Sequence, residues 1–425
     1  MPIKKIKAGA LQLTLFIVVL IALLLAGFIL LTHTHQRFKV QAHFITETIN
    51  NANKGINYTL VNKTQLNDTV QVDLKDESYK TLGVHREFWG LFEKVITTSK
   101  IKTNSFQKAA LIGATQSETN RIALYSQENN KPLVLVGNTK IEGVAYLPKQ
   151  GVRLGTIAGN SYYGSQLIYG PTRVSGSLPK LFNETDNHLK NIIKKRGNIM
   201  PNQYLNIEDG KNYTNSFLAP LQVVYSPNSI RLNAVNLTGH IVVQSQSKII
   251  IDAFSSLIDV VLIAPEIEIQ ANVKGNFQAI ASKQLSVGKN CRLNYPSALV
   301  LIEKDDFIEN TGNQNEENND LTIESGSEIK GVLVYLGNES NTNYKPNITI
   351  GENVTLYGEV YCNKNLELKG SVFGSVFTNN FIANQLGSIY QNHIYNATIE
   401  VNKLPEEYIG LPFNDSKKGV LKWLY

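Results

Sequence analysis

Hydrophobic positions fall along this chain in three distinct patterns. From Ala10 to Thr32 they form an almost unbroken run, ALQLTLFIVVLIALLLAGFILLT, with Gln12 and Thr14 as the polar members near its start. About 20 such residues, each rising 1.5 Å, cross a hydrocarbon core of about 30 Å, so the run predicts a transmembrane helix over 10–32. Beyond it, Phe38, Ala42, Ile45, Ile49, Ala52 and Ile56 recur three or four residues apart. This predicts an amphipathic helical neck over 33–56, closing at about Asn53 or Gly55. An apolar stripe outside lipid must pack on the body of the chain or on a neighbouring subunit. Phe38, Ala42, Ile45, Ile49 and Ala52 are therefore the candidate assembly surface.

The second pattern is mixed. Leu60–Leu74 alternates loosely, as strands do, whereas Arg86–Thr97 (REFWGLFEKVIT) spaces Phe88, Leu91, Phe92 and Val95 as a helix would. Ala109–Thr115, Ile122–Tyr125 and Pro132–Val136 read as short strands. The expectation is a small α+β module over 57–135, packed on the neck.

The third pattern starts near residue 136. Short β-branched runs alternate with Gly and Asn, and apolar-x-Gly-x-apolar segments recur. Ile267-Glu-Ile269 is followed eighteen residues later by Leu285-Ser-Val287, and Ile348 by Leu366 at the same interval. A period near 18 predicts a parallel β-helix over 136–395, whose rungs bury an apolar face only by stacking. An antiparallel β-sandwich, which also gives short strands at regular spacing, is the alternative. Two stretches break the pattern: 178–221, with a basic helix-like piece, and the acidic 303–320. Both read as insertions. Residues 396–425, with Phe413 and Trp423, read as a tail capping the last rung. The fold class expected is mainly β, with one N-terminal transmembrane helix.

Composition changes little in this picture. Of 425 residues, 42% are hydrophobic and 18% charged, as for a packed body. The net charge of +6 is dispersed, and the lysine clusters lack the interleaved aromatics of a single-strand binding surface, so no nucleic-acid partner is expected. Lys4, Lys5 and Lys7 precede the apolar run. By the positive-inside rule they keep residues 1–9 in the cytoplasm and send the body to the other side. The run exceeds a secretory signal's apolar core, and no small-x-small site follows it, so it is expected to be retained as an anchor. Cys291 and Cys362 stand about four rungs apart. At about 4.8 Å per rung that is too far for a disulfide, and both are expected to be buried and unpaired.

The segment Lys5–Thr14 (KIKAGALQLT) resembles the start of prepilin-like proteins, particularly minor pilins and pseudopilins. A short basic leader, then Gly9, then one helix half in lipid and half outside carry the resemblance. It implies cleavage between Gly9 and Ala10, and a single-pass protein of the bacterial inner membrane with a periplasmic body. The family's usual glutamate, five residues past the cut, falls here on Thr14. That departure implies an accessory rather than a major filament subunit. The strip from Gly351 to Ile389, with its Gly-x-Val repeats, resembles the bactofilins, bacterial filament-forming β-helices.

Motifs that carry chemistry are missing from the sequence. The seven histidines form no HExxH or Cys/His pattern, and there is no Gly-x-Ser-x-Gly elbow, phosphate loop or dinucleotide fingerprint. No catalytic residue, metal or cofactor is expected. The function expected is a non-catalytic structural or assembly protein of the envelope, pilin-like or part of a secretion machine, with the membrane and other envelope proteins or its own copies as partners. A carbohydrate-binding or carbohydrate-processing envelope protein is the alternative.

Overall fold

A computed structural model describes residues 9–74, 78–116, 121–194, 200–304, 319–338, 344–414 and 416–424. Most of the acidic insertion and residues 1–8 of the leader lie outside the described residues. The protein is mainly β, with one long apolar helix at its N-terminus.

Helix α1 spans Gly9–Val61 without a break. It is long and apolar enough to cross a membrane, and its side chains from Leu11 to Leu31 are exposed. Thr14 and Thr32 turn their hydroxyls back to the carbonyls of Leu11 and Ile29, so neither leaves a donor unpaired in an apolar surround. The helix runs past its expected end, and Gly55 shows why. A Cβ there would lie 2.8 Å from the Thr97 side chain, so this glycine serves close approach to a sheet rather than termination. Helical pairing closes at Tyr58, whose carbonyl accepts from the Asn62 backbone N–H.

That sheet is antiparallel and five-stranded. Strands β1 (Asp68–Gln71), β2 (Lys80–Trp89), β3 (Phe92–Ile101) and β4 (Asn104–Thr115) follow in chain order, and the C-terminal strand Lys417–Leu424 lies on the far side of β4. The helix expected over Arg86–Thr97 is instead the β2–β3 hairpin. Trp89 pairs with Phe92 across a turn at Gly90 (φ 63°) and Leu91. Within each strand the period is 2. The two-residue turn shifts its phase, so Phe88, Leu91, Phe92 and Val95 mimic helical spacing. Ile56, Leu82, Val84, Val95, Ala110 and Ile112 form the small core between α1 and this sheet.

Most of the remaining strands pair in parallel into one continuous, closed sheet system; beside it Thr156–Ile157 pairs antiparallel with Asn160–Ser161, and His393–Tyr395, Leu133–Val136 and Val152–Leu154 form a separate parallel sheet. Ile267 lies opposite Leu285, Ile269 opposite Val287 and Ile348 opposite Leu366, the eighteen-residue registers expected from sequence. Apart from the hairpin of Ser371–Gln385 with Ser388–Gln391, the pairings described in this system are parallel, against the antiparallel alternative. Its interior is a continuous apolar core running from Leu124 through Leu262 and Leu333 to Ile399.

The order of layers in space differs from their order in the chain. Ile122–Ser126, expected in the small module, pairs with Ser371–Gln385, and Lys140–Glu142 pairs with Thr398–Glu400. The first layers therefore stack beyond the last ones. The stretch 178–221, expected as a side insertion, carries the chain back to the opposite end, where Asn212–Asn215 begins the run that returns. It includes helix α2 (Asn183–Lys194). The expected tail also divides. Thr398–Glu400 joins the parallel layers, while Lys417–Leu424 completes the antiparallel sheet. A second core, with Trp89, Leu91, Val261, Val300, Val334 and Phe413, joins the module, α2 and the C-terminal segment to one outer face of the layers.

Candidate functional site

The five neck residues singled out by sequence separate into two groups. Ala52 is fully buried, as is Ile56 one turn further, and both pack on the chain's own sheet. Phe38, Ala42, Ile45 and Ile49 are exposed, Phe38 to 74%. The sheet meets α1 mainly from Thr48 upward, so the part of the stripe nearer the apolar run is left uncovered by the described residues. Gly9 opens α1, with nothing within 4 Å of where its Cβ would be.

A second feature was not anticipated. The β2–β3 hairpin docks on the parallel layers by its turn: Trp89 Nε1 donates to the Asp259 carbonyl at 2.9 Å, and Gln278 accepts from Leu91 N and donates to Trp89 O, both at 2.8 Å. Lys422 Nζ holds the Asp259 carboxylate at 2.6 and 2.8 Å. Beside this joint lies a cleft of about 1070 Å³, walled by Trp89, Phe217, Val242 and Ile263 and closed on one side by α2.

Lys94 stands in that cleft with 1% of its surface exposed. Its ammonium pairs with Glu87 Oε1 at 2.7 Å, donates to His240 Nε2 at 2.8 Å, and lies under 6 Å from the Trp89 and Phe217 ring centres. His240 Nδ1 faces the Ala219 carbonyl at 2.9 Å, which assigns the proton to Nδ1 and leaves Nε2 as acceptor. Burial, then the Lys94 charge, pushes the His240 pKa down to about 4. Burial also lowers Lys94, against the pull of Glu87. His188 stacks on Phe88 at 4.1 Å. Burial takes it to about 4 as well, and its Nε2 is buried with no partner. Behind the hairpin, Arg86 binds Glu93 at 2.6 and 2.8 Å and Glu184 at 2.6 Å, and Lys418 closes on Glu93. Burial opposes the Arg86 charge, but Glu93 and Glu184 together raise its pKa.

These groups tie three elements, β2–β3, α2 and the C-terminal strand, to one polar joint. A signal for it did exist in the sequence. Glu87 and Lys94, opposite in charge, lie symmetrically about Gly90-Leu91, and in the hairpin they stand directly opposite one another. Nothing local marks His240, which is 146 positions from Lys94.

Among the described residues, no group of three or more His, Cys, Asp or Glu is placed to hold a metal ion. Cys291 and Cys362 are both buried and free. Compared with known proteins, the chain matches no family model, no curated protein and no solved structure.

Proposed function

We propose that this chain is a membrane-anchored, periplasm-facing structural or assembly subunit without catalysis, whose parallel layers form a β-helix standing on a helical neck. The exposed run Phe38, Ala42, Ile45 and Ile49 carries this reading. Four apolar side chains on one helix face, outside the lipid-length run and uncovered by their own body, are costly in water and are covered when a second helix packs there. The β-helix rests on the parallel registers and the eighteen-residue interval. The pilin-like or secretion-machine assignment rests on the Gly9–Ala10 junction and the half-lipid, half-neck helix alone.

A single experiment tests the neck and the leader. Both native cysteines are buried, so an Ile45→Cys variant in membranes presents one accessible thiol. A maleimide–diazirine cross-linker attached there and irradiated, so that its carbene inserts into any adjacent bond, is expected to trap it in complexes with a second envelope protein or a second copy, and the intact mass of the untreated chain is expected to lack the first nine residues. Exclusively monomeric chains after cross-linking would overturn the assembly reading. A full-length mass would remove the pilin-like one.

A further inference from the structure

The layers carry another surface, which the neck does not involve. Where their corners at 363–365, 379–380 and 391–392 meet the strand end at 127–131, a cleft of about 670 Å³ opens. Its floor is a set of amides ordered by one another. Asn129 Nδ2 donates to the carbonyl and Oδ1 of Asn379 at 2.7 and 2.9 Å, Asn379 Nδ2 donates to the Asn363 carbonyl at 3.3 Å, and Asn363 brackets the Gly337 peptide through both ends of its side chain. Beside this column, Asn380 Nδ2 donates to Asn365 Oδ1 at 3.1 Å.

Each amide offers two N–H groups and an oxygen with two lone pairs. The bonds above fix the orientation of Asn363, Asn379 and Asn380 while leaving hydrogen-bonding capacity at their half-buried surfaces. Tyr344, 56% exposed, forms part of one wall, and Lys131 and Lys180 are exposed at the rim. None of the described residues lining the cleft is acidic.

We propose that this cleft binds a segment of a linear, uronate-containing polysaccharide. Three features select that class. Adjacent strands repeat at about 4.8 Å, comparable to one sugar of an extended glycan, so the amides of successive layers meet the hydroxyls of successive sugars. Amides that both donate and accept suit vicinal hydroxyls, which do the same. Among the described residues the lining holds lysines and no carboxylate, which favours an acidic sugar over a neutral one. A single-stranded nucleic acid would require a row of exposed rings on which to stack, and the cleft exposes one.

The test uses the full chain in neutral-detergent micelles, titrated with a fluorescent galacturonate tetrasaccharide, with cellotetraose and a dT oligonucleotide as competitors. The wild type is expected to bind the uronate saturably, with cellotetraose and the oligonucleotide at least tenfold weaker. Lys131→Glu combined with Lys180→Glu, both exposed positions, is expected to keep the wild-type melting temperature and weaken uronate binding at least tenfold. Asn379→Ala is expected to weaken uronate and cellotetraose alike. Absence of saturable binding by the wild type, binding unchanged in the lysine pair, or equal binding of the neutral sugar would overturn the proposal. Preferential binding of the oligonucleotide would replace it with a nucleic-acid surface. Neither result bears on cross-linking at the neck, so the two proposals fail independently.

Discussion

At the scale of single residues, the column Gly331, Gly358 and Gly374 shows a constraint that could be read in advance. These glycines lie opposite one another in successive layers with φ of 148°, 148° and 154°, and a Cβ on Gly358 would collide with the Gly331 carbonyl. They are the glycines of the recurring apolar-x-Gly-x-apolar segments. Glu359, next to the column, could not be anticipated. It is 2% exposed, with its oxygens accepting from Gln116 Nε2 at 2.6 Å and Leu411 N at 2.5 Å, and burial pushes its pKa up to about 7. In the unfolded chain this group titrates near 4.3. The folded protein thus holds the extra proton between those values, and the group's contribution is present below about pH 4 and lost as pH rises through 7. His188 and His240, lowered to about 4, act with the opposite sign, their contribution being lost as pH falls from 6.5 through 4. From pH 6.5 to 8 the unfolded histidines shed their remaining protons, which adds about 0.4 kcal/mol of stability for each. Over that interval Glu359 removes about 1 kcal/mol and roughly cancels them, so wild-type stability by denaturant titration is expected to stay nearly flat while that of Glu359→Gln rises by about 1 kcal/mol. An identical slope in the variant would assign the effect to another group.

At the scale of elements, the hairpin β2–β3 was misread because one two-residue turn makes a 2-period look like a 3.6-period. The opposite charges of Glu87 and Lys94, symmetric about the turn, were the better guide, since charge pairing across a strand pair is a direct consequence of register. The docking of this hairpin turns on Gln278, which is 3% exposed and satisfies both Trp89 O and Leu91 N. Gln278→Leu leaves two buried backbone groups unpaired, an expected loss of about 2–4 kcal/mol. The loss is predicted to be local. Hydrogen exchange should accelerate first at residues 89–92 while the amides of Ile267 and Leu285, deep in the parallel layers, stay protected. Uniform acceleration would mean that the module and layers unfold as one unit.

At the scale of the whole molecule, the chain is closed on itself twice. Its first layers stack beyond its last, and its final strand Lys417–Leu424 returns to the sheet that holds the neck. Lys418 meets Glu93 and Lys422 meets Asp259, so this strand ties module and layers together. Ending the chain after Asn414 uncovers β4 and removes Leu421 and Leu424 from the second core. The truncated protein is expected to aggregate or to fall by at least 10 °C in melting temperature. A wild-type melting curve would show that the last strand contributes nothing to the joint. Removing a flexible tail would leave that temperature unchanged, so this experiment separates the structure from the expectation of a simple cap.

The sequence alone determined what depends on neighbouring residues or a fixed repeat: the apolar helix, its stripe and the parallel register at eighteen residues. Each follows from a local period, because a helix face or a stacked layer needs the same residue types at the same spacing each time. Only the tertiary structure decided how far α1 runs, since Gly55 is read as a helix end until Thr97 is found beside it. Likewise it alone brought together Lys94 and His240, paired the first layers with the last and returned the final strand to the neck. Those outcomes rest on which distant surfaces close on one another, and no local period encodes that choice. The neck shows both halves. Its apolar stripe was legible, but that Ala52 turns inward while Phe38, Ala42, Ile45 and Ile49 remain uncovered depends on where the sheet stops.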